Sequence, residues 1–117
     1  MEDDTLDMTL LFDFFGDLLT EKQREYFDLY HNEDLSLSEI AENAGISRQG
    51  VRDNIVRAEN ALRGFEEKTG VVHRFREMQA LILSLEASAA EIARVTESGR
   101  AHDLACDMIL RLCKMKG

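Results

Sequence analysis

The 117-residue chain has no proline and no tryptophan, only six phenylalanines and two tyrosines, and two cysteines. Without proline, nothing in it removes a helical N–H or forces a kink. No stretch sustains the period-two alternation of a half-buried strand. The chain therefore reads as all-α. Its apolar runs are short, as at Leu81-Ile82-Leu83, far below the roughly 20 residues of a membrane span, so membrane insertion is not expected. Met1 is followed directly by Glu2, Asp3 and Asp4, which is not the basic-plus-apolar start of a secretory leader. Cys106 and Cys113 fall two turns apart on one predicted helix, too far for a disulfide within it. A reduced, cytoplasmic protein is expected.

Chemistry-bearing constellations are also scarce. His102 and Cys106 stand four residues apart with Cys113 beyond them, a spacing that could begin a zinc site, but no pair of Cys-x₂-Cys units supports it. The cysteines read instead as small core hydrophobes, with the histidine at their rim. His31 and His73 stand alone. No glycine-rich phosphate loop occurs, no histidine is placed to activate Ser36, Ser38 or Ser47, and Asp3, Asp4 and Asp7 read as a solvated face. The expectation is a non-enzyme with no cofactor and no metal.

What is present is charge, and it is uneven. The formal net charge is −9, unlike the basic footprint of most DNA-binding domains. Residues 1–19 hold six acids and no base, whereas residues 65–117 hold eight of each. Within residues 47–63, four arginines face two acids, so one short segment is locally positive. Binding carried by so few phosphate contacts should be strongly weakened by salt.

That segment belongs to the most specific pattern in the chain, SLSEIAENAGISRQGVRDNIVRA, residues 36–58. Ser36 with Glu39 forms a capping box at the start of a helix. Leu37, Ile40, Ala41 and Ala44 share one face, and Ala41 must be small because a second helix crosses it closely. Gly45 suits the positive φ of a helix end, and Ile46 packs inward across the turn. Ser47 caps the second helix, whose buried stripe is Val51, Ile55, Ala58 and Leu62. Together these elements spell a helix-turn-helix. The remaining face carries Arg48, Gln49, Arg52, Asp53, Val56 and Arg57. In this motif the N-terminal part of the second helix enters the major groove. Arg48, Gln49 and Arg52 become the base-facing candidates, arginine for guanine and glutamine for adenine. Arg57 and Ser47 complete the candidate nucleic-acid contacts, Arg57 being better placed for phosphate. Asp53 can accept from cytosine but repels phosphate.

Around the motif, residues 6–19 predict an acidic amphipathic helix whose stripe is Leu6, Leu10, Leu11, Phe14, Phe15, Leu18 and Leu19. Thr20 and Gln23 make a second capping box, opening a helix to about His31 that buries Tyr26, Phe27, Leu29 and Tyr30. The predicted organisation is thus an N-terminal helix over 1–19 packed on a helix-turn-helix domain over 20–64. A C-terminal helical region over 65–117 completes it, with a hinge or frayed end between Gly64 and Gly70. In that last region Phe75, Met78, Ile82, Leu85, Ala89, Ile92 and Thr96 repeat in alternating steps of three and four, a coiled-coil seam. A final helix carries Ala101, Leu104, Ala105, Met108, Ile109 and Leu112. These stripes can close as an intramolecular hairpin or pair with a second subunit, and a homodimer suits a motif that addresses two half-sites.

Residues 10–62 closely resemble the bacterial YlxM-like family and, more distantly, the region 4 helix-turn-helix of sigma factors, which has no wing. The matching blocks are Leu18-Leu19-Thr20 with Lys22-Gln23-Arg24, Leu37-Ser38-Glu39-Ile40-Ala41-Glu42, Ser47-Arg48-Gln49, and Asp53-Asn54-Ile55. Residues 75–117 match by helical character only. The resemblance implies a small DNA-binding regulator. The family's genes tend to neighbour those of signal recognition particle GTPases, which implies an alternative: an accessory of that particle binding its RNA or its GTPase, with the helix-turn-helix as scaffold. A third possibility has residues 2–17 folding near the recognition helix as a mimic of DNA charge. Gly50 and Arg52 stand where the family leads one to expect alanine and an aromatic residue, and Gly50 lowers the recognition helix's stability by roughly 1 kcal/mol against alanine.

Overall fold

The structure, a computed structural model, describes the backbone from Asp4 to Lys116 and the side chains from Met8 to Lys116. Leu6 and the acids Glu2, Asp3, Asp4 and Asp7 lie outside the described side chains, and with them most of the proposed charge mimic. The described residues form helices and no strand: α1 (Asp4–Phe15), a 3₁₀ turn (Gly16–Leu18), α2 (Glu21–His31), α3 (Leu37–Ala44), α4 (Arg48–Thr69), α5 (Val71–Val95) and α6 (Gly99–Lys116). The all-α expectation is met. The chain divides into two compact units, Met1–Val72 and His73–Gly117.

In the first unit both expected capping boxes form. Thr20 Oγ1 accepts from the Gln23 N–H while Gln23 Oε1 accepts from the Thr20 N–H. Ser36 and Glu39 repeat the exchange. Gly45 ends α3 at φ 74°, ψ 28°, a left-handed conformation that costs a side-chain-bearing residue about 1–2 kcal/mol. Tyr26, Ile40, Ala41, Val51 and Ile55 form one buried cluster, which locks α2, α3 and α4 together. A second cluster of Met8, Leu11, Phe15, Leu19, Phe27, Ala58, Leu62 and Val72 seats α1 on the far half of α4. The Phe12 ring stacks on Phe27 at 4.7 Å, and Phe15 meets Phe65 at 5.8 Å.

Several expectations change. Helix α4 runs unbroken through Gly64 and stops only at Gly70, whose φ is 66°. Its corner is closed by the Gly70 N–H donating to Glu66 O at 2.8 Å and the Val72 N–H donating to Glu66 Oε1 at 2.9 Å. The residues around Gly64 satisfy the helix on their own, so no hinge is needed there. Ile46 is exposed rather than buried, lying over the first turn of α4 beside Gly50. Tyr30, Phe14 and Leu18 are also exposed, because α1 and α2 each bury a narrower stripe than their apolar content offered.

The second unit is an antiparallel hairpin of α5 and α6. Its register is shown by His102 Nδ1 against Ala93 O at 3.2 Å and by Glu86, which accepts from Lys116 Nζ at 3.1 Å. Ile82 and Ala89 of α5 and Ala105 and Leu112 of α6 are buried. The predicted seam is thus split: Ile82 and Ala89 are covered, while Phe75, Met78, Leu85 and Ile92 are exposed. The cysteines are not core residues either, Cys106 being half-buried and Cys113 exposed. Each follows a buried residue, Ala105 or Leu112, by one position, and one position turns a helical side chain by about 100°.

Candidate nucleic-acid interface

The turn from α3 to α4 sets the geometry of the candidate site. Gly45 turns the chain, and Ser47 Oγ accepts from the Gly50 N–H at 3.0 Å, capping α4. The first turn of α4 contains no acid, so the positive end of its dipole is left for an anion. Val51, Ile55, Ala58 and Leu62 are buried, and they orient the opposite face of α4 outward.

On that face Arg48, Arg52 and Arg57 are exposed and make no ion pair among the described residues. Arg48 and Arg52, one turn apart, lie along one line of the helix. Arg57 points about 140° away from Arg52 around it, by helical spacing. Gln49 is differently placed: its Nε2 donates to Asp53 Oδ1 at 2.9 Å. The amide proposed to read a base is thus already engaged by Asp53, one turn on. Asn54 donates to Gly50 O at 3.0 Å, a back-bond that steadies the glycine-containing turn. A Cβ on Gly50 would stand 3.3 Å from Ser47 Oγ and 3.5 Å from Ile46 Cδ1, so alanine there would crowd the cap it helps to form.

Sequence spacing did not reveal what lies beside Arg52. A groove of about 190 Å³ opens there, lined by Tyr30, Leu37, Arg52, Ile55, Val56 and Glu59. It exists because α2 crosses α4 at Tyr30, a long-range contact with no local signature. At its far edge His31 Nε2–H donates to Glu59 Oε2 at 2.8 Å, and the imidazole stacks on Phe27 at 4.2 Å. The other exposed surface of this unit holds more acids than bases: Asp13, Glu21, Glu39 and Glu42 are exposed, and Asp17 and Glu25 pair with exposed Arg24 and Lys22.

Among the described residues no group of three or more His, Cys, Asp or Glu side chains could hold a metal ion. No helix of the described residues is long and apolar enough to cross a membrane.

Comparison with known proteins gives one consistent answer. A family model described as "Putative helix-turn-helix protein, YlxM / p13 like" matches residues 2–100. A UPF0122 protein of Thermoanaerobacter sp. (strain X514) is 58% identical over 78 residues, covering 67% of each chain. One from Caldanaerobacter subterraneus subsp. tengcongensis is 56% identical over 82 residues, covering 70% of each. A Bacillus cereus (strain AH187) UPF0122 protein is 46% identical over 97 residues, covering 83% of this chain and 88% of the relative.

Proposed function

The chain belongs to the YlxM/p13-like helix-turn-helix family, and we propose that it is a DNA-binding regulatory protein whose α4 reads the major groove. The observation that carries this reading is the exposed pair Arg48 and Arg52 along one line of α4, with Arg57 exposed further round the helix and none of the three in an ion pair among the described residues. Elsewhere in the first unit acids outnumber bases and the exposed Lys22 and Arg24 are paired with Glu25 and Asp17, so this is the surface on which a polyanion meets least repulsion. Arg48 and Arg52 contact base edges, Arg57 and the Ser47 hydroxyl contact phosphate, and Gln49 exchanges Asp53 for an adenine. The protein works as a homodimer, so that two such helices address half-sites about one DNA turn apart; the uncovered apolar residues of α5 and α6 support this.

A second reading is favoured by the acidic surface. Asp13 and Asp17 flank exposed Phe14 and Leu18, a mixture suited to a basic, partly apolar protein partner. An accessory role on the signal recognition particle would use that surface.

Selection from a mixed pool of duplex DNA and RNA, including the particle's RNA, at two salt concentrations separates the readings. Duplex DNA should be enriched at low salt and lost at high salt. Arg48→Ala and Arg52→Ala should each cost about 1–3 kcal/mol on the selected site. Enrichment of RNA, or retention on the particle's purified GTPase with both arginines dispensable, would reverse the order.

A further inference from the structure

The α5–α6 hairpin has two unlike flanks. One is closed by polar bridges: Glu86 accepts from Cys113 Sγ at 3.3 Å and from Lys116 Nζ at 3.1 Å, and His102 lies against Ala93 O with Cys106 beside it. The other flank is largely apolar, its one charged member being Arg111 of α6, which pairs with Asp107 at 3.0 Å. On α5 it carries Met78, Leu85 and Ile92, extended by Leu81 and Val95. On α6 it carries Leu104, Met108 and Met115. All eight side chains are between 43% and 61% exposed.

These residues form one face rather than scattered patches. On each helix they lie to the same rotational side of the buried line, Ile82–Ala89 on α5 and Ala105–Leu112 on α6. Because the helices run antiparallel, both stripes emerge on the same side of the hairpin. On α5 the stripe runs 78, 81, 85, 88, 92, 95, in steps of three and four, with Ser88 as its only polar member. It is a second heptad seam alongside the one that α6 covers. A helix with two adjacent seams has the pattern of a bundle member with two neighbours. The hairpin supplies only one of them.

We propose that the second neighbour is another copy of the same hairpin, the two copies closing an isologous four-helix bundle through the Met78–Leu85–Ile92 and Leu104–Met108–Met115 face. This rests on the homodimer reading above and assigns its surface. Charge argues for a second copy over an acidic or basic partner. From Met78 to Val95 the stripe has no charged residue, and residues 73–117 hold six acids and seven bases, so two hairpins approach without net repulsion. Covering the eight side chains buries on the order of 700 Å² per copy, close to the roughly 800 Å² per partner of a standard specific interface. A C2 arrangement satisfies both copies with one apolar surface and leaves no end open for further addition.

The test is the mass in solution of the full chain without nucleic acid, by sedimentation equilibrium at tens of micromolar. The expected result is a dimer. Leu85→Glu and Met108→Glu should each give a monomer of unchanged helicity, and the milder Leu85→Ala should raise the dimer dissociation constant by about tenfold or more. Leu83→Glu and Leu110→Glu, at exposed positions on the opposite flank, should leave the dimer intact. A monomeric parent chain overturns the proposal, as does a dimer broken by Leu83→Glu and indifferent to Leu85→Ala. DNA binding is scored separately. A dimer that ignores DNA defeats only the nucleic-acid reading, and a monomer that binds DNA defeats the homodimer and this surface while leaving the nucleic-acid reading standing.

Discussion

Glu59, midway along α4, holds His31 at the end of α2 through a 2.8 Å hydrogen bond between two largely enclosed side chains. It is the polar tie between the helix proposed to read DNA and the helix that supports it. Both groups are mostly withdrawn from water, so losing one strands the other. Glu59→Ala should destabilise the protein by about 1–3 kcal/mol, read as a lower urea midpoint with little change in slope. An unchanged midpoint would mean the contact contributes nothing to the α2–α4 packing.

The Gln49–Asp53 pair carries a prediction of opposite sign. Asp53→Asn removes the carboxylate that holds Gln49 and frees its amide. DNA affinity should rise several-fold at low salt, the gain shrinking as salt shortens the screening length below about 10 Å. Fluorescence anisotropy on a fixed duplex at two salt concentrations checks both halves; weaker binding would show that Asp53 itself contacts the DNA.

Two backbone devices make the motif, and each can be removed alone. Gly45→Ala places a Cβ at φ 74° and should cost about 1–2 kcal/mol, although the site has open space around it. Ser36→Ala breaks the capping box and should cost about 1 kcal/mol. Thermal melts measure both. A larger loss at Ser36 than at Gly45 would contradict the ranking.

In the hairpin, Glu86 and Cys113 shift each other. The Lys116 hydrogen bond, and then that of Cys113, hold the Glu86 carboxyl below the usual carboxylate range. The carboxylate in turn pushes the Cys113 thiol up. Because the folded Glu86 value is the lower one, its stabilising effect is present above the unfolded value and lost as pH falls through the folded value. The hairpin should therefore loosen at acid pH, and Glu86→Gln should flatten that dependence. The thiolate is the reactive form, so Cys113 should be alkylated faster in Glu86→Gln than in the parent, by mass spectrometry near neutral pH. Equal rates would dissolve the link.

Much of this molecule is legible in its sequence because the signals are local. The capping boxes at Thr20 and Ser36, the glycine at 45 and the stripe from Val51 to Leu62 each depend on residues within a few positions of one another. The end of α4 was harder to place. Gly64 and Gly70 look alike in sequence, and only the bond from Val72 to Glu66 makes the second one the corner. Tyr30, Leu18 and Phe75 are exposed although their stripes predict burial, since a stripe shows which side is apolar but not how many neighbours arrive. The groove at Arg52 brings Tyr30 and Leu37 to α4, and His31 pairs with Glu59 across 28 positions; both lie beyond any periodicity. The hold of Asp53 on Gln49 was local, at a spacing of four, and was within reach.

The unbroken length of α4 has a mechanical consequence. Phe65, against which Phe15 of α1 is set, and Arg48 sit on the same rod, about 25 Å apart at 1.5 Å per residue. A rod transmits tilt without loss. Pivoting by roughly 5° at the Phe15–Phe65 contact swings the arginine end through about 2 Å, more than the width of the distance window that defines a hydrogen bond. If α4 binds DNA as proposed, α1 sets the aim of its Arg48 end, and a substitution at Phe15 should change DNA affinity from a distance.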